Sequence, residues 1–224
     1  VTFRAADLFC GAGGAAMGLS RVGFTVEGWD TKPQPRYPFK FHLGDALKAD
    51  LSGFDFIWAS PPCQAYSMAA KTQRNLGRTY PDLLAPTRCV LEKSGMAWVI
   101  ENVPGAPMRP DFKLCGCQFG LELRRERWFE TSWNALALLP SCQHPRPVVS
   151  VVGHGTPTWV RQKLGYNPTI KDYRAAMGID WMNRDELSQA IPPAYSEFLG
   201  RQIIRLLKID RPPLAECQPS QPTS

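Results

Sequence analysis

Short apolar runs at residues 5–9, 24–29, 54–59 and 97–100 alternate with helical patterns, the clearest at 15–22 and 82–93. Strands separated by helices must be joined by right-handed crossovers, so the pattern predicts an α/β, doubly wound fold: a mostly parallel sheet with helices on both faces. Ligands of such sheets sit outside the carboxyl ends of the strands, where strand order reverses. The residues that follow each run are therefore the ones to read for chemistry.

At 224 residues, 44% apolar and 21% charged, the chain has the size and make-up of one folded domain, not of a disordered or fibrous protein. No run approaches the roughly 18 apolar residues of a membrane span, so no membrane partner is expected. The first residues lack the order of a signal peptide, which makes a cytoplasmic location the expectation. Seven cysteines, an odd and scattered set, do not suggest a disulfide framework. Lys and Arg outnumber Asp and Glu by 26 to 20, and the net charge of +6 suits an anionic partner. From residue 209 the end of the chain turns rich in Pro, Ser and Gln and is expected to be disordered.

The first run leads into Asp7-Leu8-Phe9-Cys10-Gly11-Ala12-Gly13-Gly14, a strand-to-helix turn whose glycines allow tight backbone and close approach of a ligand to bare N–H groups. Asp30 ends the second run, where a carboxylate can accept from a ribose diol. Asp45, after a further short strand, could accept from an adenine amine. Together these acids beside a glycine loop favour an adenosine-bearing cofactor.

After the third run, Ser60-Pro61-Pro62-Cys63-Gln64 presents one thiol on a rigid turn, a suitable placement for a nucleophile. Glu101-Asn102-Val103 follows the fourth, and a carboxyl partly buried there can stay protonated and donate to a ring nitrogen. Arg125 and Arg127, two apart, would share one face of a strand.

These blocks, in this order and followed by Ala190-Ile191-Pro192-Pro193 before an apolar helix, resemble the DNA cytosine-C5 methyltransferase family. The resemblance implies a Rossmann-like S-adenosylmethionine-dependent methyltransferase that methylates C5 of cytosine in DNA through a covalent Cys63 adduct at C6. It assigns catalysis to Cys63, Glu101, Arg125 and Arg127, with Arg125 supporting the site or pairing with Glu101. Asp7, Phe9, Gly11, Gly13, Gly14, Asp30, Asp45, Pro61, Gln189 and Tyr195 would bind S-adenosylmethionine and its product S-adenosylhomocysteine. Pro62, Gln64, Ser67, Arg74 and Asn102 would meet an extruded base. Residues 1–130 would be the catalytic core and 169–208 a C-terminal block that returns to it.

The chain departs from the family where Thr31 follows Asp30 in place of an aromatic residue, and where Gln189 stands in place of Asn. Residues 131–168 are too few for the family's usual target recognition domain, so the chain resembles a minimal phage or bacterial orphan enzyme. That leaves open a protein partner for sequence specificity, and RNA, single-stranded DNA or a free nucleotide as substrate. A non-catalytic DNA-binding protein would not need the Cys63, Glu101 and arginine set, and a nicotinamide oxidoreductase would leave Pro61 to Gln64 unexplained. Cys115-Gly116-Cys117 and Cys142-Gln143-His144 are spaced more tightly than ordinary structural zinc ligands, so free thiols are expected and no metal is assigned.

Overall fold

The structure, a computed structural model, describes residues 2–134, 139–144, 147–153 and 156–210. Its sheet has seven strands: β1 (Arg4–Leu8), β2 (Thr25–Asp30), β3 (Lys40–Leu43), β4 (Phe56–Ala59), β5 (Ala97–Asn102), β6 (Phe112–Leu114) and β7 (Arg127–Thr131). They lie in the order β3-β2-β1-β4-β5-β7-β6, with every pairing parallel except those of β7, which runs antiparallel to β5 and β6. This is the Rossmann-like fold of S-adenosylmethionine-dependent methyltransferases.

The two-residue period of the strands explains the layering. Ala5, Phe56, Trp58 and Val99 point to one face, where α1 (Gly14–Arg21) and α7 (Pro193–Asp210) cover them. Ala6, Leu8, Ile57, Ala59, Trp98 and Ile100 point to the other, under α3 (Leu84–Ser94). A third cluster joins Leu123, Val149 and Val151 to α5 (Ile170–Met177) and α6 (Arg184–Gln189). The remaining helices, α2 (Lys71–Asn75) and α4 (Thr158–Leu164), are short.

Chain direction across the sheet reverses between β1 and β4, which opens the crevice. The register sets its floor: Leu8 pairs with Ala59, and Ala59 with Ile100. Phe9, Ser60 and Glu101 therefore emerge side by side.

The alternating apolar run at 147–152 forms no strand of the sheet. Val149 and Val151 are buried, as alternation predicts, but only one parallel bridge forms, between Leu123 and Val149. The Val151 carbonyl is taken by the Arg125 guanidinium at 2.7 Å. The tail from residue 211 onward lies outside the described residues.

Candidate active site

The glycine loop owes its shape to three residues with positive φ: Phe9 at 58°, Gly11 at 49° and Gly13 at 83°. For Phe9 this conformation is strained, a cost on the order of 1–3 kcal/mol that surrounding contacts must offset. The curl aims the Gly11 N–H at Asp30 Oδ2, 3.1 Å away. Gly14 must be glycine for another reason, since a Cβ there would lie 2.3 Å from the Ile191 carbonyl oxygen. The Trp181 indole N–H donates to the Ala12 carbonyl at 2.9 Å, so the C-terminal block holds the loop from behind.

A cavity of about 440 Å³ opens at this point. Asp7, Phe9, Gly11, Gly14 and Asp30 line one end, and Pro61, Pro62, Cys63, Gln64, Glu101 and Arg127 the other. Gln189 and Ile191 close it. Gly13 stands just behind, its α-carbon against Tyr37 and Pro38.

The electrostatics are uneven. Asp7 is fully withdrawn from water, its Oδ2 accepting from the Tyr37 hydroxyl at 3.4 Å while Oδ1 has no hydrogen-bond partner. Burial, reinforced by the nearby Asp30 charge, pushes its pKa up to about 8. An orphaned, buried carboxylate oxygen facing a cavity suits a cationic group such as an ammonium.

At the other end Arg127 Nε lies 3.1 Å from Glu101 Oε1. Burial raises the Glu101 pKa, and Arg127 and Arg125 oppose the rise. Cys63 is pushed up by burial and by Glu101, against the pull of the same arginines. The Pro61 carbonyl accepts from Asn102 Nδ2 at 3.2 Å, while Asn102 Oδ1 accepts from the Val103 N–H at 2.9 Å. Asn102 thereby fixes the turn that carries Cys63.

Residues 3–111 match the family model of the C-5 cytosine-specific DNA methylases. This stretch, just under half of the chain, is similar to C-5 cytosine-specific DNA methylases. A comparison with curated proteins finds no match. Solved structures of similar fold include an Escherichia coli prophage-encoded protein described as a DNA modification methyltransferase, at 13% identity and a TM-score of 0.61, covering 92% of this chain and 100% of that one. A Spodoptera frugiperda DNMT2 variant has 12% identity and a TM-score of 0.60, with 91% and 100% covered. The Dnmt2 methyltransferase of S. pombe has 13% identity and a TM-score of 0.57, with 92% and 99% covered.

Several residues expected at the site stand elsewhere. Asp45 is exposed, and its carboxylate accepts from the Leu47 N–H at 3.0 Å, capping a helical turn. Tyr195 is fully buried in the core under α7 and donates to the Arg125 carbonyl at 2.6 Å. Arg125 does not share the face of Arg127, because β7 begins only at Arg127; it is buried, and it donates to the Val151 and Ser188 carbonyls at 2.7 Å each. It ties the segment after β7 and α6 to the site. Arg74 folds back onto the Gln64 and Ser67 carbonyls at 2.7 and 2.8 Å, and Ser67 Oγ accepts from the Ala69 N–H. Both shape the loop that follows Cys63.

The cavity also contains residues that the sequence reading did not assign to it. Ser60, Thr31, Lys32, Asp185 and Glu186 line it. The two acids had a visible signal in the Asn183 to Glu186 capping box, where Asn183 Oδ1 accepts from the Glu186 N–H and Glu186 Oε2 from the Asn183 N–H. Glu186 also pairs with Arg36 at 3.0 Å, joining α6 to the loop after β2.

Proposed function

We propose that this protein transfers a methyl group from S-adenosylmethionine to C5 of a cytosine in DNA, with the target base extruded from the helix into the cavity. One observation carries the reading: the Cys63 thiol, the Glu101–Arg127 pair and the glycine loop share a single cavity.

Cytosine C5 is a weak nucleophile until the ring is activated. Addition of the Cys63 thiolate to C6 breaks the C5–C6 π bond and leaves a C4=C5 enamine whose C5 is nucleophilic toward the methyl group. Glu101, whose carboxyl burial biases toward the protonated form, donates to N3 and takes up the charge that develops as C6 is attacked. Arg127 orients Glu101 and faces the O2 side of the base. When a base removes the C5 proton, the C–S bond breaks and Cys63 leaves as thiolate. Burial disfavours the Cys63 thiolate, and the charges of Arg127 and Arg125 favour it.

The residues at the other end fit the cofactor. Asp7 would hold its ammonium, Asp30 its ribose hydroxyls, and Phe9, Gly11 and Gly13 its length. S-adenosylmethionine supplies the electrophilic methyl group when bound, leaving S-adenosylhomocysteine. Because Asp7 titrates near 8, an ammonium beside it would expel a proton at neutral pH.

A DNA backbone would meet the exposed Lys71 and Arg78 on the loop after Cys63. It would also meet a second hollow formed by residues 147–150, Arg124, Trp159 and Lys163. Trp159 is 61% exposed there with Lys163 over its ring, a surface suited to phosphate and base contacts. We read residues 131–168 as a reduced recognition element on this side.

The test is incubation with labelled S-adenosylmethionine and, at matched salt, duplex DNA, single-stranded DNA, RNA or cytosine nucleotides. 5-Methylcytosine in duplex DNA supports the reading. Product in RNA or nucleotides alone overturns the substrate, and no methyl transfer to any of them overturns the activity.

A further inference from the structure

The two cysteine-containing pairs that the sequence reading left without a metal come together in three dimensions. Cys115 follows β6 and caps the helical turn Gly116–Phe119, Cys117 lies in that turn, and Cys142 and His144 belong to the segment after β7. Their ligand atoms all lie within 4.8 Å of one another. His144 Nε2 stands 3.4 Å from Cys115 Sγ, 3.7 Å from Cys117 Sγ and 3.2 Å from Cys142 Sγ. Cys117 Sγ and Cys142 Sγ are 3.4 Å apart. A tetrahedral zinc ion with Zn–S near 2.3 Å and Zn–N near 2.0 Å needs ligand atoms separated by about 3.4–3.8 Å. The sulfurs are too far apart for a disulfide, whose S–S bond is about 2.05 Å.

We propose that Cys115, Cys117, Cys142 and His144 form a structural zinc site that staples the segment after β7 onto the catalytic domain. Three thiolates and one imidazole are a soft, closed, four-coordinate set, which selects zinc over magnesium or calcium and leaves no ligand position for catalysis. The one-residue spacings are workable because each pair supplies only half of the site. The turn between them is already braced: Gln118 Oε1 accepts from the Cys115 N–H at 2.7 Å, and Gln118 Nε2 donates to the Pro140 carbonyl at 3.0 Å. A segment this short cannot bury a core of its own, and a metal supplies the missing cross-link. Downstream of His144 the same segment supplies Val149 to the bridge with Leu123 and the Val151 carbonyl to Arg125.

The full chain, expressed with zinc and purified without chelator, should contain about one zinc per chain by inductively coupled plasma mass spectrometry. Cys117→Ser and Cys142→Ser should each lower that to about a tenth or less, whereas Cys89→Ser, which alters an exposed thiol outside the cluster, should leave it unchanged. Cobalt substitution of the wild-type protein should give the visible bands of a tetrahedral thiolate site. Wild-type protein that is folded, free of zinc and freely reactive at these thiols, or that carries a Cys117–Cys142 disulfide, would overturn the proposal. Because metal content is read independently of methyl transfer, loss of one conclusion leaves the other standing.

Discussion

Arg127 Nε approaches Glu101 Oε1 to 3.1 Å, and neither side chain exposes more than 14% of its surface. The pair joins two strands that run in opposite directions, β5 and β7, at the mouth of the cavity. The Arg127 and Arg125 charges oppose what burial does to Glu101, and the balance sets the pH at which the carboxyl can still donate. Activity should fall as pH rises through the elevated Glu101 pKa. Removing the guanidinium with Arg127→Ala should lower kcat and move that alkaline limb to higher pH. An unmoved limb would sever Arg127 from the Glu101 titration. Glu101→Gln should cost about 10²–10⁴ in kcat and flatten the limb.

Cys63→Ser should lower turnover by about 10⁴-fold or more while leaving cofactor binding intact. DNA containing 5-fluorocytosine gives a sharper readout. The second half of the reaction removes a proton from C5, and fluorine cannot depart as a cation, so a Cys63 adduct should persist and survive denaturing electrophoresis. Adduct formation by the Ser variant would place the nucleophile elsewhere.

Asp7 predicts a dependence of stability on pH with a definite sign. Its folded pKa, about 8, lies above the ordinary carboxyl value, so the folded state holds this proton more tightly than the unfolded one. The contribution is complete below about pH 4 and is lost as pH rises toward 8. Asp7→Asn should therefore flatten the decline of Tm over that window and weaken S-adenosylhomocysteine binding. Calorimetry in buffers of different ionisation enthalpy should detect proton release when wild-type protein binds the ligand, and none for the variant.

Gly18 lies where α1 meets α7. A Cβ there would sit 2.1 Å from both the Pro193 carbonyl oxygen and Ser196 Oγ, and 2.7 Å from the Glu197 nitrogen. Two of these are backbone atoms and cannot swing aside. Gly18→Ala should destabilise the protein by about 2–3 kcal/mol in chemical denaturation. Gly95→Ala, with nothing near its Cβ position but a φ of 68°, should cost only about 1 kcal/mol.

The Cys63 end of the cavity was legible because its groups cluster at strand ends, and strand ends can be read from apolar runs. Cys63 after β4, Glu101 near the end of β5 and Arg127 at the start of β7 show this directly. Asp45 also sits after a strand, yet a free Leu47 N–H two residues on claims its carboxylate, a local competition that patterning does not reveal. Tyr195 is buried by the packing of α7, where Gly18 of α1 allows close approach, a constraint invisible in a linear motif. The proximity of the cysteine pairs was hidden for the opposite reason. Their separation along the chain spans β7, and only the antiparallel return of that strand beside β6 brings them together.

The contact of Gly14 with the Ile191 carbonyl joins the first helix of the chain to one of its last turns. During synthesis the glycine loop therefore emerges from the ribosome long before its back wall exists. A nascent chain can lay down β1 and β4 and expose Cys63 early, but the cofactor cradle closes only once residue 191 has cleared the exit tunnel. Completion of the cavity is in this sense withheld until Ile191 has been added, and messages cut short before that codon would yield proteins whose glycine loop has no back wall.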